Sequence, residues 1–183
     1  MGRLRKLITL IGGRGVGKTT TIIEIAKSNK EKVLILDFNA EVKYSQFPTI
    51  GIQDIGTFTG IAKIHVTDFK TFLKYINLFY RNGLLILEDA NAYLPTNKDA
   101  NKDWWNILVS MRHKGIDCIC TYHSVARVPP YLYEMVNDII LFKTSENPER
   151  MKNKIPNFDE VFRVWLRLKA SNNRYEKKLI NIM

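Results

Sequence analysis

An octapeptide near the start of the chain constrains the fold more than any other feature. It reads Gly12-Gly13-Arg14-Gly15-Val16-Gly17-Lys18-Thr19 and fits the phosphate-binding pattern G-x-x-x-x-G-K-[S/T] at every position. An apolar run at 7–11 precedes it and an apolar-periodic segment follows it, which predicts a buried strand, a loop and a helix. The glycines allow positive φ angles, so that the loop N–H groups can turn inward around phosphates. A glycine-rich turn that binds nothing would give the Lys-Thr pair no packing purpose.

The side chains of this motif have separate expected roles. Lys18 is expected to reach the β- and γ-phosphates of a nucleotide. Thr19 is expected to place its hydroxyl on Mg²⁺. The rest of the loop and Thr20 complete the predicted nucleotide-binding set, and ATP with Mg²⁺ is the predicted ligand pair.

A second landmark is the apolar run 84–87, which ends in Glu88 and Asp89. This run and the run at 33–36 show no alternation of polar residues, so both are predicted as buried strands of a parallel α/β sheet. Phosphate-loop enzymes carry their Walker B carboxylates at such a strand end. One acid is expected to bind Mg²⁺ and the other to orient or deprotonate the attacking water. The alternative is an exposed acidic turn.

A third polar group is predicted at the end of the strand 116–123, where His123 would lie beside the phosphate loop in a parallel sheet. That position suits a γ-phosphate sensor. The set His113, Cys118, Cys120 and His123 contains metal-ligating residue types, but its spacing matches no zinc pattern. The two cysteines should share one strand face rather than form a disulfide.

The remaining pattern predicts further elements. We expect strands at 64–67 and 136–142, a helix capped by Asp68, a helix over 103–114, and a short helix beginning at Pro129-Pro130. Weaker strand candidates, 162–168 and 179–182, could form a closing hairpin around Asn172-Asn173.

Charge is concentrated at the two ends of the chain. The net charge is +10 over 183 residues; segment 1–32 has eight bases and two acids, and segment 143–183 has ten and five. Such a surface suggests a polyanion partner such as nucleic acid, although basic ends also favour solubility. No apolar run approaches the ~20 residues that cross a bilayer, so no transmembrane segment and a cytoplasmic location are expected.

With the phosphate loop, the Walker B strand and the segment Met111-Arg112-His113-Lys114-Gly115-Ile116 leading to His123, the chain resembles the FtsK/HerA superfamily of DNA-pumping ATPases. The resemblance implies a P-loop fold of the RecA/ASCE type, with a mainly parallel sheet flanked by helices and here a short C-terminal β extension. It also implies assembly into rings of five or six copies. The compact size is similar to the genome-packaging ATPases of tailless, membrane-containing viruses.

The resemblance assigns roles to single residues. Arg112 matches the family arginine and is expected to act on the neighbouring subunit's nucleotide, with Arg127 and Arg150 as competing candidates. His123 matches a sensor that is usually glutamine. The order Glu88 then Asp89 reverses the usual Asp-Glu order; by position Glu88 should serve Mg²⁺ and Asp89 the water.

The resemblance thus implies an ATP-hydrolysing DNA translocase, most specifically a viral genome-packaging motor. We expect an ATPase core at 1–142 and a basic extension at 143–183 packed on the same domain. Expected partners are double-stranded DNA, further copies of the chain and capsid or membrane-vertex proteins, with recruitment to the virion vertex. The alternatives are a zonular-occludens-toxin-like phage assembly ATPase, a small-molecule or nucleotide kinase, and a non-catalytic nucleotide switch.

Overall fold

A seven-stranded sheet in the order β3-β2-β4-β5-β1-β6-β7 forms the centre of the protein. The computed structural model describes residues 5–182; residues 1–4 and Met183, which the predicted domain bounds include, lie outside the described residues. The strands are β1 Leu7–Ile11, β2 Lys32–Leu36, β3 Ile61–Ile64, β4 Gly83–Leu87, β5 Ile116–Tyr122, β6 Asp138–Phe142 and β7 Lys177–Asn181. The first six pair in parallel and β7 runs antiparallel to β6. The predicted α/β class with a C-terminal β extension is confirmed.

The described part of the chain has five α-helices beside the sheet: α1 Lys18–Ser28, α2 Phe69–Phe79, α3 Lys102–Lys114, α4 Pro130–Tyr133 and α5 Phe158–Ala170. The predicted helix cap is present, because the Asp68 carboxylate accepts the Thr71 N–H at 3.0 Å. Gly115, with φ 68°, ends α3 in the left-handed conformation that glycine tolerates best. Among residues 5–182, no helix is both long and apolar enough to span a bilayer.

Both faces of the sheet are covered by apolar side chains. In β2, Leu34 and Leu36 pack into a core cluster with α2 and α3, whereas Val33 and Ile35 pack into a second cluster with α1. Successive residues of a strand point to opposite faces, so a strand covered on both sides is apolar at every position. This explains why the run at 33–36 shows no alternation. Trp104 belongs to the first cluster and is fully buried.

The strand predicted at 162–168 is wrong, because this segment belongs to helix α5. The buried side chains of α5 are Val161, Trp165 and Leu168, and their spacing of four and three residues is that of one helix face. The closing hairpin is therefore also wrong: the turn after α5 leads directly into β7, which pairs with β6. The strand predicted at 64–67 lies three residues earlier, at Ile61–Ile64.

Candidate active site

Neighbouring strands bring the predicted site residues together. Strand β1 leads into the phosphate loop, β4 ends before Glu88, and β5 ends before His123, and β5 lies between the other two in the sheet. The carboxyl ends of parallel strands meet at one edge, where α/β proteins bind their ligands. The three segments share a cavity of about 540 Å³. Its lining includes Arg14, Gly15, Gly17, Lys18, Thr19, Thr20, Glu88, Asp89 and His123.

The phosphate loop takes a conformation that depends on two of its glycines. Gly15 has φ 70° and Gly17 has φ 96°, angles that other residues rarely adopt. The start of the loop is tied to both neighbouring strands: the Gly12 N–H donates to the Tyr122 carbonyl at 3.1 Å, and the Gly13 N–H donates to the Lys143 carbonyl at 3.0 Å. The loop is thus anchored at its base by both strands that neighbour β1.

Lys18 is buried against this loop. Its ammonium donates to the carbonyl oxygens of Gly12 at 2.7 Å and Gly13 at 2.9 Å. Burial lowers the pKa of Lys18, while the nearby Asp89 and Glu88 carboxylates act in the opposite direction. A cation held partly out of water in this way gains from an incoming anion such as a phosphate.

Glu88 and Thr19 form the second part of the site. The Thr19 hydroxyl donates to Glu88 Oε1 at 3.0 Å. Glu88 Oε2 is buried and has no hydrogen bond of normal geometry within residues 5–182. Burial raises the pKa of Glu88 to about 7, against the opposing effect of the Thr19 and Tyr44 hydroxyls. A hydroxyl and a carboxylate are the oxygen ligands that suit Mg²⁺, and a cation here would compensate the buried carboxylate.

Asp89 and His123 form a linked pair with Lys18. His123 Nε2 lies 2.9 Å from Asp89 Oδ1, and His123 Nδ1 lies 3.4 Å from the Lys18 ammonium. Burial and the Lys18 charge lower the pKa of His123, which favours a neutral ring. Lys18 can only donate, so Nδ1 accepts and the ring proton is on Nε2, from which it is donated to Asp89. A neutral histidine thus offers one donor and one acceptor, as a glutamine amide does.

Asp89 has an unusual backbone. Its φ of 49° and ψ of 44° place it in the left-handed region, which non-glycine residues seldom occupy. Its N–H donates to the Thr121 hydroxyl at 2.8 Å, and its second carboxylate oxygen accepts from the Asn39 amide. The backbone turn directs the Asp89 side chain toward His123, whereas Glu88 faces Thr19.

The arginines named from the sequence lie at opposite ends of the parallel strands. Arg112 is exposed on the last turn of α3, which adjoins the starts of β4 and β5. Strand β5 has seven residues and spans roughly 23 Å at about 3.3 Å per residue, so Arg112 lies far from the phosphate loop of its own chain. Arg127 lines a second cavity of about 350 Å³ that also includes Arg14, Asp89 and His123. Arg150 is exposed after β6.

Several site residues were not anticipated from the sequence. Asn39 bonds to Asp89, Lys43 donates to the Thr20 hydroxyl at 3.1 Å, and Tyr175 lines the main cavity. Asn39 and Lys43 belong to the long connection between β2 and β3. Tyr175 lies in the C-terminal segment, more than 150 residues from the phosphate loop. No local motif marks these residues.

Solved structures of viral packaging proteins have a fold similar to that of this chain. The genome packaging NTPase B204 from Sulfolobus turreted icosahedral virus 2, solved with ATP-gammaS, superposes with a TM-score of 0.80 at 22% identity, covering 97% of this chain and 92% of that chain. The DNA-packaging ATPase B204 from Sulfolobus Turreted Icosahedral Virus gives a TM-score of 0.77 at 19% identity, with the same shares. The predicted resemblance to viral packaging ATPases is confirmed at the level of the fold.

A more distant similarity is to the N-terminal domain of zonular occludens toxin from Neisseria meningitidis. Its TM-score is 0.49 at 13% identity, over 82% of this chain and 91% of that chain. No protein-family profile and no curated protein matches the sequence significantly.

Proposed function

We propose that this chain is an ATPase that moves double-stranded DNA, and that its task is to package a viral genome. The observation that carries this proposal is the gathering of Lys18, Thr19, Glu88, Asp89 and His123 around one cavity at the carboxyl edge of the sheet. The fold supports it, because its matches over nearly the whole chain include packaging NTPases solved with nucleotide analogues.

The proposed chemistry divides between binding and hydrolysis. The loop N–H groups and Lys18 hold the phosphates, and Lys18 offsets charge on the terminal phosphates. Thr19 and Glu88 would hold Mg²⁺, which when bound supplies positive charge between the phosphates. Asp89 accepts a hydrogen bond from the attacking water and orients it. His123 keeps the Asp89 carboxylate directed and lies within reach of the γ-phosphate.

The proposed DNA contact is electrostatic. The basic excess at both ends of the chain carries no base-reading motif, and a packaging motor must accept any sequence. We propose that copies of the chain form a ring of five or six around the DNA. Capsid or vertex proteins would then recruit the ring to the virion from the host cytoplasm.

Turnover of ATP with and without double-stranded DNA tests the proposal. Stimulation by duplexes of unrelated sequence, and affinity that falls steeply with salt, would support a translocase. Heparin is the control polyanion, because it carries charge without a duplex to move along. Phosphate transfer to a nucleotide would instead identify a kinase, and binding without turnover would identify a switch.

Packaging itself needs a particle-assembly assay with the gene disrupted. We expect empty capsids, and a Lys18→Ala gene should give the same result because the motor would lack its phosphate contact. Filled capsids in the absence of the gene would exclude a packaging role while leaving the ATPase proposal intact.

A further inference from the structure

The segment 171–176, between α5 and β7, lies over the phosphate loop. Two consecutive side chains of this segment rest on the two glycines with positive φ. A Cβ atom added to Gly15 would overlap the Arg174 guanidinium, and one added to Gly17 would lie 3.4 Å from the Tyr175 ring. Arg174 Nη2 also donates to the Arg14 carbonyl at 3.4 Å. The C-terminal segment therefore covers part of the loop crest.

This segment is held in place by its own hydrogen bonds. The Asn173 side chain accepts the Tyr175 N–H at 3.0 Å, and the Ser171 hydroxyl accepts the Asn173 N–H at 3.1 Å. The Lys143 ammonium, next to the loop anchor, donates to the Ser171 carbonyl at 2.8 Å. Just after the segment, the Lys177 ammonium donates to the Thr21 hydroxyl of α1 at 2.6 Å. Tyr175 is thus presented by a built turn rather than by a free tail.

The Tyr175 ring is exposed inside a polar cavity. The residue is 64% exposed, lines the same cavity as Lys18 and Thr20, and no aromatic ring from the described part of the chain packs on it. A large flat ring left open in a site lined by charged and hydroxyl groups has no packing role there. It is suited to receive a flat partner, since aromatic faces stack favourably on one another.

The direction in which a nucleotide would lie in the cavity indicates which flat group the Tyr175 ring receives. Lys18, Glu88, Asp89 and His123 mark the end of the cavity that would hold the terminal phosphates. In a loop of this type the lysine reaches the β- and γ-phosphates and the loop backbone cradles the α- and β-phosphates, so the nucleoside continues from the end of the nucleotide that the backbone holds. Tyr175 lies over the loop backbone at Gly17 and lines the same cavity as Thr20, which is consistent with a position at this nucleoside end.

We propose that the Tyr175 ring is the platform on which the nucleobase of the bound nucleotide stacks, and that Arg174 positions the loop crest beneath it. This inference rests on the proposed nucleotide-binding function. Stacking uses the face of the base rather than its hydrogen-bonding edge, so ATP and GTP should depend on Tyr175 to a similar degree.

Binding titrations of the full chain with ATP and with inorganic tripolyphosphate test this inference. Tyr175→Ala should bind ATP about 5- to 100-fold more weakly, the loss expected for one base–aromatic stack, and tripolyphosphate within about twofold of wild type. Tyr175→Phe should retain ATP binding. Phe79→Ala, which removes an aromatic residue of α2 that is 51% exposed and outside the cavity, is the matched control and should change neither ligand.

The outcomes separate the inference from the function on which it rests. If Tyr175→Ala leaves ATP affinity unchanged, or weakens tripolyphosphate as much as ATP, the platform is wrong and the nucleotide site stands. If wild type binds neither ligand, or Lys18→Ala binds both as well as wild type does, the nucleotide site itself is wrong and the platform falls with it.

Discussion

At the amino-terminal edge of the sheet the buried carboxylates face cations, whereas at the carboxyl-terminal edge the buried carboxylate of Glu88 meets a hydroxyl. Asp117 lies 3.3 Å from the Arg5 guanidinium and accepts the Lys6 N–H at 2.8 Å. Asp138 accepts from the Lys6 ammonium at 2.6 Å. Glu88 has Thr19 as its hydrogen-bonding neighbour and a raised pKa. The carboxylates Asp117 and Asp138 are compensated without a ligand, as is the buried Asp37 that faces the Lys63 ammonium at 3.7 Å after β2, whereas Glu88 gains most when a cation arrives.

Arg112 is the exception at the amino-terminal edge. It is exposed, and no salt bridge joins it to an acid within residues 5–182. Its distance from the phosphate loop of its own chain excludes a direct contact there. A charge at this edge that neither pairs locally nor reaches its own site suits a role in a neighbouring copy, or a stabilising interaction with the end of α3.

The largest expected effect concerns Arg112, because a role of this residue in hydrolysis would mean that the amino-terminal edge also contributes to an active site. If Arg112 completes the neighbouring site, Arg112→Ala should bind ATP normally and lose turnover by roughly 10³-fold, the lower range for an arginine finger. Arg112→Lys keeps the helix-end charge but loses the planar guanidinium, so it should be nearly as inactive. Steady-state turnover and nucleotide affinity, measured on the same preparations, check the predicted loss of turnover and the predicted normal binding of ATP.

Mixing experiments identify the direction of that contact. Arg112→Ala protein combined with Lys18→Ala protein should regain activity, because a mixed interface joins an intact phosphate loop to an intact arginine. Mixed rings that regain nothing despite confirmed co-assembly, or full activity of Arg112→Lys, would leave Arg112 as a helix-end charge.

Two lysines test the contrast between the edges directly. Lys18→Ala should lower turnover by about 10²- to 10³-fold, because a cation on the terminal phosphates acts on charge that shifts during hydrolysis. Lys6→Ala removes one of the two side-chain donors to Asp138, leaving the Asn181 amide, and should leave turnover per folded molecule unchanged. Circular dichroism provides the check on folding. Equal turnover in folded Lys18→Ala and wild type would contradict the placement of the site.

The adjacent carboxylates should have separable roles. Asp89→Asn should lose turnover by roughly 10²-fold or more, the contribution of a positioned acid–base group, and keep binding of ATP with Mg²⁺. Glu88→Gln should in addition weaken the dependence on Mg²⁺. Metal titrations at fixed ATP distinguish the two variants. A Glu88→Gln variant that traps ATP with normal Mg²⁺ affinity would reverse the assignment.

Local sequence patterns predict the buried strands of the sheet but not helix α5. The runs at 33–36 and 84–87 are recognisable because strands buried on both faces are apolar throughout. Helix α5 is not predicted, because the short window 162–168 by itself indicates a strand. Its helical period becomes evident only when Val161 is included, four residues before Trp165.

The site residues, like the strands, could be predicted only where a local sequence motif marks them. Residues in contiguous motifs, such as Lys18 and Glu88, could be named because each motif has its own spacing. Asn39, Tyr44 and Tyr175 reach the site from segments whose positions are set by the tertiary fold. Tyr44, fully buried beside Glu88, is an example: nothing in its own sequence neighbourhood indicates that a carboxylate lies next to it.

The smallest expected effect compares stability at the two edges. Glu88 has a folded pKa of about 7, above the roughly 4.3 of an unfolded chain, so folding favours its protonated form. Its contribution to stability is therefore present below about pH 4 and is lost as the pH rises to about 7. Without nucleotide and Mg²⁺, Glu88→Gln should raise the free energy of unfolding at pH 8 by about 1–3 kcal/mol and change it little at pH 4.

Asp117→Asn should act in the opposite direction. It removes the carboxylate that the Arg5 guanidinium and the Lys6 N–H face, and a neutral amide compensates them less well, so the free energy of unfolding should fall by about 1–3 kcal/mol at pH 8. Urea unfolding of both variants at pH 8 measures the sign of each change in the free energy of unfolding. Turnover per folded molecule should remain normal in Asp117→Asn. A Glu88→Gln variant less stable than wild type at pH 8 would mean that the Glu88 carboxylate is as well compensated without ligand as Asp117 is. The carboxyl-terminal edge would then lose its distinguishing feature.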